Sequence, residues 1–241
     1  MLAELNSPTF WVDLLQIMGI NILLSGDNAV VIALASRSLP EKQRNMAVLG
    51  GSAAAIILRV LFCLIIVWLL AIPFLKLIGG LLLLYIGIKL IIPEPEHGED
   101  GIAAKSNLWG AIQTIMVADA VMSLDNVVAI AAVAKDSILL IVLGLIISVP
   151  LIVFGSQIVL RFLTRFPILV IGGGGLLGWL AGEIIVSDPV IHTRIPYDIH
   201  TQELVARPLL AAFVVIVGMI LARRAKVAHL EPVDLAPEDR K

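Results

Sequence analysis

The stretches Ser25-Gly26-Asp27-Asn28-Ala29-Val30-Val31-Ile32-Ala33 and Ser123-Leu124-Asp125-Asn126-Val127-Val128-Ala129-Ile130-Ala131 say nearly the same thing. Each sets an aspartate inside a long apolar run. An ionisable side chain in hydrocarbon is costly and rarely sits there without a functional or packing partner. The same carboxylate twice, in the same local context, points to a site built by two related halves.

The chain around these motifs is too apolar for a soluble domain. Of its 241 residues 59% are hydrophobic and 15% charged, and the mean hydropathy is +1.02. Soluble domains average about 25% charged residues. Apolar runs of about 20 residues suit helices that span a bilayer. The expected fold class is therefore all-α, a polytopic membrane protein in contact with lipid. A net charge of −2 offers no basic patch and argues against nucleic acid as a partner. Cys63 is the only cysteine, so there is neither a disulfide framework nor a thiolate metal cage. The start, Met1-Leu2-Ala3-Glu4-Leu5-Asn6, lacks the basic region of a cleavable signal peptide, and the first helix is read as an uncleaved insertion signal.

Seven spans are expected, at residues 10–35, 46–71, 74–92, 108–134, 137–160, 167–187 and 207–224, in one transmembrane domain. Pro73 marks a tight break between the second and third. Residues 93–107 form an acidic loop with Glu94, Glu96, Glu99 and Asp100, and residues 188–206 a polar linker with Pro189 and Pro196. Residues 225–241 are a tail. Basic residues orient the chain. With the N-terminus outside, Arg37, Lys42, Arg44, Lys89, Lys105, Arg161, Arg165, Arg223, Arg224, Lys226, Arg240 and Lys241 fall inside. Only Lys76, Lys135, Arg194 and Arg207 fall outside. Arg59 is left within the second span. The expected topology is N-outside and C-inside.

The duplication extends beyond the motifs. At an offset of 98, Trp11 meets Trp109, Met18 meets Met116, Asn21 meets Asp119, and Asp27-Asn28 meets Asp125-Asn126. At an offset of 94, Gly50 meets Gly144, Pro73 meets Pro167, Gly79-Gly80 meets Gly173-Gly174, Tyr85 meets Trp179, and Lys89 meets Glu183. Repeat one covers about 10–92 and repeat two about 108–187. Each holds three helices, and an odd number inverts the second copy in the membrane. Two inverted repeats plus a seventh helix make a transporter architecture with its site near the midplane.

On straight helices Asp27 lies roughly 6 Å inward of the centre and Asp119 roughly 3–5 Å, at a rise of 1.5 Å per residue. That pairs Asp27 with Asp119 in an inner layer and Asn21 with Asp125 in an outer one. Facing is less simple. Positions 21, 25 and 28 share a helical stripe, as do 119, 123 and 126, whereas Asp27 and Asp125 point about 120° away from residues 21 and 119. A local unwinding, for which Gly26 is suited, would turn all of them into one cavity.

The candidate ligands are Asp27, Asp119, Asp125, Asn21, Asn28, Asn126, Ser25 and Ser123. They form a hard oxygen set suited to Mg²⁺, Ca²⁺ or Mn²⁺. A thioether from Met18 or Met116 would favour Mn²⁺, although such methionines, Met122 among them, serve more often as packing. Hydrogen bonding between helices is the plain alternative for the aspartates. It contributes only about 0.6–2 kcal/mol per contact and needs no ionisable group. Glu183 is a weaker candidate for lining an exit. Arg59 either neutralises a carboxylate when no cation is bound or lies nearer an interface. Gly172 to Gly175, Gly178 and Gly182 read as a face for close helix packing. The histidines lie in loops or tails, and the stretch His192 to His200 reads as solvated rather than metal-binding. No nucleophile, base and orienter triplet occurs, so neither enzyme activity nor a prosthetic group is expected.

The two Asp-Asn motifs, Asp27-Asn28 and Asp125-Asn126, set in a seven-helix chain, resemble the TerC family of integral membrane proteins over roughly residues 10–224. The family is named for tellurium resistance and is similar in design to the lysine-exporter superfamily. The resemblance implies export of a divalent metal, chiefly Mn²⁺, across the bacterial plasma membrane. For some members it also implies work beside the protein translocation machinery. Asp119 matches an acidic position six residues before the second motif. Asn21 stands where an acid is expected before the first, which bears on ion selectivity. The expected activity is secondary transport of the metal as substrate, in exchange for protons; two neighbouring carboxylates titrate as a coupled pair, which suits that exchange. An amino-acid exporter of the lysine-exporter type and a non-transporting scaffold or metal-sensing subunit are the alternatives.

Overall fold

A computed structural model describes residues 8–23, 26–70, 72–93, 101–134 and 137–228. Among them are nine helices and no strand: α1 (Pro8–Leu23), α2 (Gly26–Ser36), α3 (Glu41–Leu70), α4 (Leu75–Ile91), α5 (Gly101–Ala134), α6 (Ile138–Arg165), α7 (Ile168–Val186), α8 (Pro189–Arg194) and α9 (Ile199–Ala228). Five of these helices contain stretches long and apolar enough to cross a membrane: Glu41–Ile66, Leu108–Ala134, Ile138–Arg165, Ile168–Val186 and Ile199–Ala225.

The expected spans need several corrections. The span expected at 10–35 is described as two helices, α1 and α2, flanking residues 24 and 25, so Ser25 lies outside the described residues. Of the acidic loop, residues 94–100 also lie outside them, but α5 already begins at Gly101. The helix formers Ala103, Ala104 and Lys105 carry it there. The linker read at 188–206 is largely helical. Pro189 starts α8, where its missing N–H costs nothing, and Asp188 caps that helix through Val190 N. Asp198 accepts from the N–H and hydroxyl of Thr201 and caps α9, which starts eight residues before the expected 207. These contacts hold the carboxyl of Asp198 below its usual range. Gln202 then ties α9 to α8, its Nε2 bonding the carbonyl of Tyr197 and Nδ1 of His192.

Helix directions follow from close contacts. Gly80 packs on Ala181 and Ile185, and Gly87 on Gly174 and Leu177, so α4 and α7 run antiparallel. Gly178 faces Leu210 and Ala211, and Gly182 faces Ala206 and Arg207, so α7 and α9 are antiparallel too. Gly50 meets Ile112 and Gly51 meets Ile115, making α3 parallel to α5. Ile17 meets Gly144 and Asn21 meets Ser148, making α1 parallel to α6. A Cβ on Gly178 would stand 2.5 Å from the carbonyl oxygen of Leu210, which explains the small residue there. Gly172, read as part of the same face, has nothing within 4 Å and takes no part.

Two large apolar clusters, with three smaller ones, hold the bundle. One joins α4, α5, α7 and α9 through Leu83, Ile86, Val121, Leu177, Ala181 and Val214. The other joins α1, α5 and α6 through Phe10, Leu14, Ile17, Val127, Ile130 and Leu145. Large apolar side chains on the outside, Trp11, Trp68, Tyr85, Phe154 and Leu209 among them, are exposed. In water such a surface is unfavourable, and in lipid it is the expected one.

Candidate functional site

Between these clusters lies a small, mostly apolar cavity with a few polar groups in its wall, enclosed by α1, α2, α3, α5 and α6. Its lining includes Asn21, Asn28, Ser52, Arg59 and Asp119, closed by Val31, Ile32, Ile115, Leu145 and Ile152. Counted over the positions a water's centre can take, it measures about 30 Å³. That is room for about two waters.

Asp119 is its hub. Arg59 Nη2 donates to its Oδ1 at 2.5 Å, and Asn28 Nδ2 donates to the same oxygen at 2.8 Å. Ser123 Oγ, one turn along α5, donates to Oδ2 at 3.2 Å. Asp119 and Arg59 are only 11% and 4% exposed. Removing two charges from water is costly and holds only with this kind of pairing and hydrogen bonding. The other arm of the guanidinium, Nη1, donates to Oδ1 of Asn21, and Asn21 Nδ2 donates to Ser148 Oγ. Ser148 in turn donates to the carbonyls of Gly144 and Leu145. Arg59 therefore bridges Asn21 and Asp119, the two positions that correspond across the duplicated sequence.

Asp27 sits half-buried in the first turn of α2. Its Oδ1 accepts from the N–H of Asn28 at 2.9 Å, as an acid at a helix N-terminus does. It is close enough to Asp119 and Arg59 to interact with both electrostatically.

Asp125 is elsewhere. α5 stays helical from Gly101 to Ala134, so no unwinding turns Asp125 toward Asp119. Six residues along a straight helix leave it on another face. Its side chain is 52% exposed and pairs with Lys76 Nζ, which also reaches Ser187 Oγ at 3.4 Å. The expected layer of Asn21 with Asp125 is therefore replaced: Asn21 joins Asp119 through Arg59. Glu183 lies near Asp125's end of the bundle and pairs with Arg207 at 3.2 Å, while Arg207 also holds Glu203 at 2.7 Å. Glu183 feels the charges of both Asp125 and Asp27.

The remaining candidates divide. Asn126 is buried on α5 but does not line the cavity. Met18 packs against the α1/α5/α6 cluster, Met122 lies in the core, and Met116 is half-buried. None of the three lines the cavity. No group of three His, Cys, Asp or Glu side chains suited to hold a metal occurs among the described residues. Ser52 and Ser148 were not singled out by their sequence. A lone serine in an apolar helix carries no pattern, although Ser52 shares the i, i+3, i+4, i+7 stripe with Ala55, Ile56 and Arg59. Asp188 is fully buried and structural: its Oδ2 accepts from Leu77 N at the start of α4.

Comparison with known proteins places this sequence in a family. The membrane protein YjbE of Bacillus subtilis is 45% identical over 179 residues, which is 74% of this chain and 81% of that protein. A UPF0053 protein of Haemophilus influenzae is 27% identical over 210 residues, covering 80% of this chain and 88% of its own length. The UPF0053 protein YegH of Escherichia coli is 27% identical over 183 residues, 68% of this chain but only 34% of YegH. No solved structure matches. The sequence model of the integral membrane protein TerC family matches residues 6–226, nearly the whole helical bundle, and the chain belongs to that family as a multi-pass membrane protein.

Proposed function

We propose that this protein is a secondary transporter that exports a divalent cation, with Mn²⁺ the preferred substrate, in exchange for protons. The observation that carries the proposal is the buried Asp119 carboxylate. It lines a closed cavity with Asn21, Asn28 and Ser52 and is neutralised by a tethered cation, Arg59. Nothing about holding helices together requires a buried charge, since Asn or Ser would serve. Oxygen donors from Asp119, Asp27, Asn28 and Asn21 suit a hard cation.

In this reading Arg59 occupies the carboxylate when no metal is present and yields it when metal arrives. Protonation of the carboxylates releases the metal. Asp125 and Glu183, with Lys76 and Arg207, mark the outward route. The seven-helix inverted-repeat architecture belongs to the same proposal: α1 with α2, α3 and α4 form one repeat, and α5, α6 and α7 the other. Its support is the pairing of directions. The repeat mates α4 and α7 cross antiparallel, and α1 lies parallel to α6 as α3 does to α5. Rocking one repeat against the other would expose the cavity to each side in turn. The basic residues favour an outside N-terminus and an inside C-terminus in the bacterial plasma membrane.

A second reading, an amino-acid exporter, draws on the guanidinium of Arg59 in the cavity as a carboxylate receptor. Both of its Nη groups are already engaged, by Asn21 and Asp119. Proteoliposomes loaded with a metal-sensitive dye separate the readings. Wild-type protein is expected to carry Mn²⁺ down its gradient, faster against an opposing proton gradient, and Asp27→Asn or Asp119→Asn to abolish the flux. Lysine flux without divalent-cation flux would favour the second reading. Mn²⁺ flux persisting in both variants would remove the carboxylate site.

A further inference from the structure

Two oxygens in the cavity have no hydrogen-bond partner among the described residues: Oδ1 of Asn28 and Oγ of Ser52. Both atoms are buried, in residues only 3% and 7% exposed. A buried polar atom without a partner costs about 1–3 kcal/mol, so two in one cavity call for an explanation. Their neighbours make the coincidence sharper. The amide nitrogen of the same Asn28 is used, donating to Asp119 Oδ1, which fixes the amide so that its oxygen is the atom left over. Ser52 sits on α3 two turns before Arg59, and both face the same cavity. A serine in a helix usually returns its hydroxyl proton to the carbonyl one turn back, as Ser36 does to Ile32 and Ser148 to Gly144. Ser52 makes no such bond.

We propose that Ser52 is a ligand of the transported cation. Its hydroxyl oxygen, Asn28 Oδ1 and the Asp119 carboxylate together form the seat. This rests on the cation-exporter reading above and deepens it. The seat draws one ligand from each of α2, α3 and α5, so the cation is held between the two halves of the bundle. All three donors are hard oxygens, two neutral and one anionic. That set suits Mn²⁺ or Mg²⁺, and the cavity has room for the ion to keep one water. Arg59, two turns along the same face of α3, competes for Asp119. Motion of α3 relative to α5 would bring Ser52 toward the carboxylate and withdraw the guanidinium.

The test is equilibrium binding of Mn²⁺ and Cd²⁺ to the purified full-length protein in detergent. Wild type is compared with Ser52→Ala, Ser52→Thr and Ser52→Cys. Ser52→Ala is expected to weaken Mn²⁺ about tenfold or more, the scale of loss when one group supporting a metal site is removed. Ser52→Thr keeps the hydroxyl and should bind as wild type does. Ser52→Cys places a soft donor in the seat and should shift preference from Mn²⁺ toward Cd²⁺ relative to wild type, an effect that a merely structural serine would not produce. Wild-type Mn²⁺ affinity in Ser52→Ala, or no gain for Cd²⁺ in Ser52→Cys, would overturn the role of Ser52 and leave the exporter reading standing. A wild-type protein that binds no divalent cation would overturn both.

Discussion

Arg59 on α3 and Asp119 on α5 form a largely buried ion pair at 2.5 Å, and the same guanidinium holds Asn21, the residue that corresponds to Asp119 in the duplicated sequence. One cation thus spans two positions that the sequence sets apart by 98 residues. It also breaks the equivalence of the two halves, because the position matching Arg59 at the offset of 94 is Val153.

Removing Arg59 leaves Asp119 charged and buried with only neutral partners. Arg59→Gln is expected to cost about 3–5 kcal/mol, as breaking one side of a buried pair does. Adding Asp119→Asn to it should recover much of that loss. Thermal melting of the four proteins in detergent checks this as a double-mutant cycle. Additive losses would mean that the two side chains are not coupled. The same Arg59→Gln protein should gain more in melting temperature from added Mn²⁺ than wild type does, because the cation then has no internal competitor.

Asp125 and Asp119 should behave differently although their sequence contexts are so alike. Asp125 is half-exposed and paired with Lys76, so Asp125→Asn should cost no more than about 1 kcal/mol of stability. It should slow Mn²⁺ flux while leaving equilibrium Mn²⁺ binding close to wild type. Loss of binding in Asp125→Asn would place that carboxylate in the seat.

The contact of α7 with α9 depends on Gly178. Gly178→Ala puts a methyl group against the backbone of Leu210 and Ala211 and should destabilise by about 1–3 kcal/mol. Gly172→Ala, six residues earlier on the same helix but facing open space, should be neutral or slightly stabilising. Equal melting temperatures for the two variants would contradict the packing.

The cap of α9 gives a pH signature. The carboxyl of Asp198 is held below the usual carboxylate range, chiefly by the hydroxyl and then the N–H of Thr201. A depressed folded-state value means that the stabilisation is present above about pH 4 and fades as pH falls through the folded value. Asp198→Ala should therefore melt earlier than wild type at pH 7. The difference should shrink in acid, as melting at pH 7 and pH 3 would reveal. A constant difference would mean that the ionised carboxylate is not what caps the helix.

Much of this was legible in the sequence. Apolar length placed α4 and α7 closely, while α3 starts five residues and α5 seven residues before the expected spans and α6 ends five residues after, because apolar length marks only the part of a helix that crosses lipid. Periodicity placed Asn21, Asn28, Asp119 and Ser123 on facing stripes, and the structure brings those four together. The same periodicity turned Asp125 away. A local unwinding at the motif would override it, and in α5 none occurs. The link from Arg59 to Asp119 depends on how α3 packs on α5, a tertiary fact that no local pattern carries. Residues 188–206 looked like a linker because they are polar and hold prolines. Yet Pro189 sits where a helix tolerates it, and Asp198 and Asp188 provide caps that composition alone conceals. Ser52 was hidden for a simpler reason: its match at the offset of 94 is Ile146, so the duplication does not mark it.

In the proposed mechanism the Asp119 carboxylate, paired with Arg59, receives the transported cation. Mn²⁺ binding followed by electron paramagnetic resonance tests it most directly, since the free aqueous ion gives a signal that is lost on binding. Purified wild-type protein should take up Mn²⁺ saturably at one site per chain, and Asp119→Asn should leave the signal as it is without protein. Saturable binding to Asp119→Asn with wild-type affinity would contradict the account.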